Sequence, residues 1–378
     1  MRILLTTDAM GGVWDHATTL YGRLAERGHD VFLAVLGRPS GERIAGLPAG
    51  ARWAARSFAL EWAEGGIQDI EPAARWIASL ADALEADVVH LNQLAYAHRI
   101  ERPTVVAVHS DAWSWFSEIR GVPPRHEPRW QAYHSAVARG LAAAAAVVAP
   151  SQYQADRVEQ HYGRAVDRVI RNGLDRQALA DGHRFANGDG SAQARRLVTL
   201  GRAWDEAKGH RTVDEALGLV RQPWSAYLAG DIEGPDGQRL HPKRLRYLGR
   251  LPIRDARELL RRTTVYVAAS LYEPFGLAPV EAAMAGCALV LSDIGSFREL
   301  WGNDALFFAP GNAAALASVL DRLHGDRSLH HQMRLRAMRR AWACFDDRRM
   351  TTEYTEVYKA VRRRFGLSCS AAPGSAAS

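Results

Sequence analysis

The chain has 378 residues, long enough for two domains at about 150 residues each. It is 47% hydrophobic and 24% charged, which suits well-packed cores and excludes a disordered or fibrous chain. Net charge is +6 and the sequence pI is near 9.4; this favours anionic ligands, but the basic residues are dispersed, which excludes a dedicated nucleic-acid binder.

Three scattered cysteines, Cys287, Cys344 and Cys369, give neither a disulfide framework nor a zinc pattern, so a reducing cytoplasm is expected. The opening MRILLTTD reads as a strand rather than a signal peptide, and no apolar run is long enough for a transmembrane helix.

In chain order, strand 2–7 runs into DAMGGVWDH and a helix to about Arg27, with Gly28 as its cap and VFLAVL as the second strand. Gly11 and Gly12 directly after the first strand let the backbone approach a phosphate or sugar, although a tight turn alone would use them too. They are not the spaced glycines of a dinucleotide fingerprint, which disfavours a nicotinamide enzyme. A helix over 72–84 leads to the strand DVVHL, and TVVAVH is a further strand ending at His109. Strand ends of this kind face the ligand in open α/β sheets. The stretch 111–130 reads as a long, Pro-rich functional loop with Trp113, Trp115 and Phe116 as acceptor contacts or ordinary packing. A helix to about Ala145, the strand AVVAP and a helix capped by Ser151 follow.

Residues 172–195 carry a linker composition, rich in Gly, Asp, Asn and Ala. A second α/β series opens with RLVTLGRAWDEAKGH. Arg202 directly follows a strand and Lys208 precedes a helix, a cationic pair suited to a diphosphate and equally compatible with a solvated loop. The densest segment is VYVAASLYEPFGLAPVEAAMAGCALVLSD, a strand, a loop, a helix starting at Pro279 and ending at Gly286, and another strand. Glu273 and Glu281 flank Gly276 with seven residues between them. Carboxylates accept hydrogen bonds from vicinal hydroxyls, and the free N–H groups of the helix start attract an anion. Alone, Glu281 would also complement the helix dipole. The chain ends in basic helices over about 327–365 and a small polar tail; 362–364 reads first as a solvated helix face and only second as a contact for anionic lipid.

Taken together, these residues resemble glycosyltransferase family 4, retaining enzymes of the GT-B fold that use nucleotide-sugar donors. Gly11-Gly12-x-x-x-His16, VVAPS (147–151), RNGLD (171–175), LGRAWDEAKG (200–209), EPFGLAPVEA (273–282) and SDIGSFREL with Glu299 occur in the family's order over almost the whole chain. The resemblance implies an α/β architecture of two Rossmann-like doubly wound domains facing a cleft, with a C-terminal helix returning to the first. Expected boundaries are 1–172, a linker 173–195, a nucleotide-sugar domain 196–345, a crossover helix 346–365 and a disordered tail 366–378. Implied catalytic residues are Arg202 and Lys208 on the donor diphosphate, Glu273 on the donor sugar and His109 beside it. Implied substrate-binding residues are Gly11, Gly12, His16, Phe275, Gly276, Leu277 and, on the nucleotide ribose, Glu281. Family members of this type need no metal and no cofactor beyond the nucleotide-sugar substrate.

The implied reaction moves a hexosyl group from a UDP- or GDP-sugar to a glycan, lipid-linked or small-molecule hydroxyl in polysaccharide biosynthesis, in the cytoplasm or at the inner face of a membrane. The alternative is a GT-B-shaped nucleotide-sugar epimerase or hydrolase. Two departures stand out. WDEA lengthens the Arg202–Lys208 loop by one residue, making Arg211 a substitute cation, and Arg171 replaces a common proline.

Overall fold

The computed structural model describes residues 1–9, 11–175, 196–234 and 237–366, so most of the expected linker and the expected tail lie outside the described residues. Two all-parallel sheets carry the chain. In the first, β1 (Arg2–Asp8), β4 (Val88–Leu91), β5 (Thr104–Ala107) and β6 (Ala146–Ala149) form the centre. In the second, β8 (Arg196–Leu200), β11 (Val265–Ala268) and β12 (Ala288–Ser292) do so. With β2 (Asp30–Leu36), β3 (Arg52–Arg56) and β7 (Arg168–Val169) at its sides, the first has the order β3-β2-β1-β4-β5-β6-β7. With β9 (Ser225–Ala229), β10 (Arg246–Tyr247) and β13 (Leu306–Phe308) at its sides, the second has the order β10-β9-β8-β11-β12-β13. β4, β5, β6, β11 and β12 are buried at every position. That is why they read as continuous apolar runs rather than alternating ones: helices cover both faces of a parallel sheet.

Strand order reverses between β1 and β4 and again between β8 and β11. Ligands of open α/β sheets bind outside the carboxyl ends of such switch points. The glycine loop after β1, the Arg202 loop after β8 and the Glu273 loop after β11 therefore all emerge where a ligand crevice forms.

Three sequence expectations are corrected. The stretch 111–130 is not a long loop: α4 (Ala112–Arg120) occupies its first half, and α5 (Pro128–Ala143) starts before its end. Asp111 caps α4 by accepting from Ser114 N; Pro123 and Pro124 lie in the turn between the helices, and Pro128 opens α5. Trp113 is buried against His134, with ring centroids 4.4 Å apart, while Trp115 and Phe116 form a T-shaped pair at 5.1 Å. The helix expected from Pro72 is α3 (Gly66–Ala83), with Pro72 inside it. The helix expected to start at Pro279 is α9 (Leu277–Met284), two residues longer at its front.

The last helix, α13 (Asp347–Arg364), packs on α1 (Gly11–Glu26), β4 and β5 of the first domain. Met350, Tyr354, Val357, Tyr358 and Val361 are all buried and share one helical stripe. They join the cluster that holds Trp14, Ala17, Tyr21 and Leu24 of α1. Arg23 Nε donates to Asp347 Oδ2 at 2.8 Å at one end, and Arg362 Nη2 to Asp87 Oδ1 at 3.0 Å at the other. Arg362 is thereby buried and ion-paired, so the lipid-contact candidate at 362–364 reduces to Arg363 and Arg364. Among the described residues, no helix is long and apolar enough to cross a membrane.

Candidate active site

The second domain contributes three loops. After β8, Gly201 leads to Arg202, whose guanidinium lies over Trp204 at 5.5 Å and donates from Nη2 to Asp205 Oδ2 at 3.1 Å. Asp205 also caps the following 3₁₀ turn, Glu206–Lys208, by accepting from Ala207 N. This turn lies flush on the end of β11. Leu271 N donates to Ala207 O at 2.8 Å, and a Cβ on Gly209 would sit 1.9 Å from Ala269 O. Gly209 has φ +63 besides, so no other residue fits there without moving backbone. The close approach delivers Lys208 Nζ to Glu273 Oε2 at 2.6 Å. The longer loop therefore does not displace Lys208, and Arg211 lies exposed on α7 (His210–Ala216).

Glu273 sits in the loop after β11, where its backbone oxygen accepts from Ser296 Oγ. Phe275 turns inward, edge-on to Phe345 at 5.5 Å, and is 4% exposed. Gly276, at φ 85 and ψ 82, precedes α9. A Cβ there would press on Phe297 Cε1 at 3.1 Å and on Glu273 Cγ at 3.3 Å. α9 is apolar almost all round, as a buried helix should be, and Glu281 is its single ionisable residue. Burial raises the Glu281 carboxyl to about 7, partly offset by Arg257 and reinforced by Asp15. Arg257 Nε stands 3.9 Å from Glu281 Oε1, too far for a hydrogen bond.

The first domain contributes the glycine loop and a histidine cluster. Gly11, at φ +65, opens α1. His109 follows β5, and its Nε2 meets Asn92 Oδ1 at 2.8 Å. Asn92 Nδ2 donates to Thr6 O at 2.7 Å, which fixes the amide with its oxygen toward the histidines. That oxygen therefore accepts from His109 Nε2–H, leaving Nδ1 of His109 as a lone pair. His90 Nε2 shares the same oxygen at 3.2 Å, and Tyr358 OH donates to His90 Nδ1 at 2.5 Å. Burial lowers His109 to about 4 and His90 to about 3, so both are neutral near pH 7. His16 is 2% exposed, with its ring centroid 4.4 Å from that of His109. His16, expected to touch substrate, is thus buried directly beside His109.

The two halves meet. A Cβ on Gly12 would lie 3.2 Å from Leu277 Cδ1, so the starts of α1 and α9 abut. Ser151 caps α6 (Gln152–Tyr162) and its Oγ also donates to Pro274 O at 2.7 Å. Glu299, on α10 (Gly295–Trp301), accepts from Gln152 N at 2.8 Å and Tyr153 N at 2.9 Å. Tyr272 OH donates to Gln154 Oε1 at 3.2 Å. Of the residues expected in the site, Lys208 joins Glu273, Gly12 joins Leu277, and His16 joins His109. Asn92, Asp15 and Arg257 were not expected. Each lacks a local sequence signal, since its placement depends on which strand or domain lies opposite.

Two doubly wound domains with their switch-point loops turned toward each other define the GT-B class. Residues 10–178 match the model of Glycosyltransferase Family 4, and residues 194–326 match that of Glycosyl transferases group 1. Between them these cover both domains, and the chain belongs to the family-4 type of glycosyltransferases.

The chain is similar to the phosphatidyl-myo-inositol mannosyltransferase of Propionibacterium freudenreichii subsp. shermanii, 26% identical over 82% of each chain. It is 34% identical to the glycogen synthase of Mycobacterium tuberculosis over 31% of this chain, a match that spans only 29% of that relative's length. Its fold resembles sucrose-phosphate synthase from Thermosynechococcus elongatus (TM-score 0.77, 16% identity, covering 97% of this chain and 100% of the other). It also resembles Anabaena HepE in complex with UDP-glucose (TM-score 0.73, 20% identity, covering 95% and 100%).

Proposed function

We propose that the chain is a retaining glycosyltransferase. It moves a hexosyl group from a UDP- or GDP-sugar to a hydroxyl on a glycan, lipid or small molecule, without a metal. The observation that carries this reading is the Lys208 Nζ–Glu273 Oε2 pair at 2.6 Å, at the switch point of the second sheet and beside the Arg202 loop. The pair brings a cation for the diphosphate and a carboxylate for sugar hydroxyls to one place. The HepE complex with UDP-glucose and the mannosyltransferase relative support the donor class.

In this mechanism the acceptor oxygen bonds to the anomeric carbon on the face from which the phosphate departs. The bond from that carbon to the donor phosphate oxygen breaks, and a phosphate oxygen takes the acceptor's proton. The products are the glycoside and the nucleoside diphosphate. Arg202 and Lys208 stabilise the charge that grows on the leaving diphosphate, usually the largest electrostatic contribution to such a step. His109, neutral and with Nδ1 unprotonated, accepts from a donor-sugar hydroxyl and orients the ring. Glu273 would act through sugar hydroxyls rather than as nucleophile, because Lys208 occupies its carboxylate.

The test is nucleotide release from UDP-, GDP- and ADP-sugars with and without acceptor. At least one donor should be turned over, and Arg202→Ala and Glu281→Ala should each cut kcat/KM by about a hundredfold or more, as expected when a charged contact is lost. Activity like the parent in both variants would remove the site assignment. Turnover should also survive a chelator; loss restored by a divalent ion would overturn the metal-free reading.

A further inference from the structure

One turn beyond the Gly12–Leu277 contact, each abutting helix carries one carboxylate. Asp15 lies three residues after Gly12 on α1, and Glu281 four residues after Leu277 on α9. Residues three and four apart share a helix face, so both carboxylates lie on the side where the two domains meet.

Arg257, on α8 (Ile253–Arg261), serves both. It stands 3.9 Å from Glu281, and its charge acts on Asp15 as well. Arg43 and Arg250 complete the charged surroundings of Asp15.

The polar groups here are poorly satisfied. Arg257 Nε and Arg43 Nη1 are buried without a hydrogen-bond partner, and Glu281 has only the long contact to Arg257. No hydrogen bond among the described residues engages the Asp15 carboxylate, although burial raises its pKa. Buried polar groups are ordinarily paired, and each exception needs a reason. Two orphaned guanidinium nitrogens beside two half-buried carboxylates, at a seam between domains, fit a ligand that supplies both donors and acceptors. A ribose does so: its vicinal hydroxyls donate to carboxylates and accept from guanidinium.

We propose that Asp15 is a nucleotide-binding residue, accepting a hydrogen bond from a donor ribose hydroxyl beside Glu281, with Arg257 bridging the two carboxylates. This rests on the donor class proposed above and extends it. The nucleoside is held from both domains, so its binding stabilises their closure.

The experiment measures binding of UDP, GDP and ADP by calorimetry, then of the 2′- and 3′-deoxy forms of whichever binds. The parent protein should lose about tenfold or more in affinity toward a deoxy form, the order expected for a hydrogen bond to a charged acceptor. In Asp15→Asn and Asp15→Ala, the full nucleotide should weaken by a similar factor and the deoxy penalty should shrink toward unity for at least one position. Unchanged melting temperature in Asp15→Asn keeps folding out of the comparison, and Glu281→Gln serves as the second-domain reference. If the parent binds a nucleotide and both Asp15 variants keep its full deoxy penalty, the Asp15 assignment is overturned while the donor reading stands. If the parent binds no nucleoside diphosphate, the donor reading falls and takes this one with it.

Discussion

At the scale of single residues, the site depends on protonation states that burial sets. His109 was legible as a strand-end histidine; its tautomer was not, because Asn92 comes from the end of β4 and only the fold brings it near. Asn92→Leu removes the acceptor that pins Nε2–H. It should lower kcat by about tenfold to a hundredfold with a smaller change in donor KM, and shift the acid limb of the pH–rate profile, because His109 could then reorient. An unaltered kcat and pH profile would sink the positioning role.

Glu281 yields a second residue-scale expectation. Its carboxyl is raised to about 7 against an ordinary 4.5. Between these values the folded chain holds a proton that the unfolded chain releases, so stability falls as pH rises through that window. Glu281→Gln should therefore raise the melting temperature of the nucleotide-free protein at pH 8 and leave it nearly unchanged at pH 4. The gain is at most on the order of 3 kcal/mol. Equal effects at both pH values would contradict the shift.

At the scale of elements, strands buried on both faces and helices with strong caps were legible. Ser151 and Gly28 mark the ends they suggested. α4 was not: aromatic and Pro-Pro composition suggested a loop, but Asp111 accepts from Ser114 N and nucleates a helix before the prolines begin. The front of α9 was missed because Gly276 adopts the left-handed turn that lets Leu277 start the helix. Gly209 tests how far backbone proximity builds the site. Gly209→Ala would drive a methyl into Ala269 O and so separate the Lys208 turn from the Glu273 loop. The melting temperature should drop by several degrees, as for a change costing about 2–3 kcal/mol, and donor KM should rise. An alanine variant with parental KM and stability would show that the loops hold each other by other means.

At the scale of the whole molecule, the doubly wound pattern was legible because each βα unit is local, but the seam between the domains was not. Glu299 stood in the sequence as one residue of SDIGSFREL; in the fold it closes the N-terminus of a helix in the other domain. Those N–H groups have no intrahelical partner, and a carboxylate satisfies them and complements the helix dipole. Ser151 Oγ to Pro274 O and Tyr272 OH to Gln154 Oε1 reinforce the same side, while α13 ties the end of the chain to the first domain. Opening must return the Glu299 carboxylate and the α6 N–H groups to water. Since hydrogen bonds to charged groups contribute about 1.5–3 kcal/mol each, Glu299→Ala should favour the open form by about tenfold or more. Small-angle scattering should then give a larger radius of gyration for the nucleotide-free variant than for the parent. Saturating nucleotide should bring the two together, at a weaker apparent affinity in the variant because part of the binding free energy is spent on closure. Identical scattering and identical nucleotide affinity would mean that Glu299 caps a helix without governing the domains.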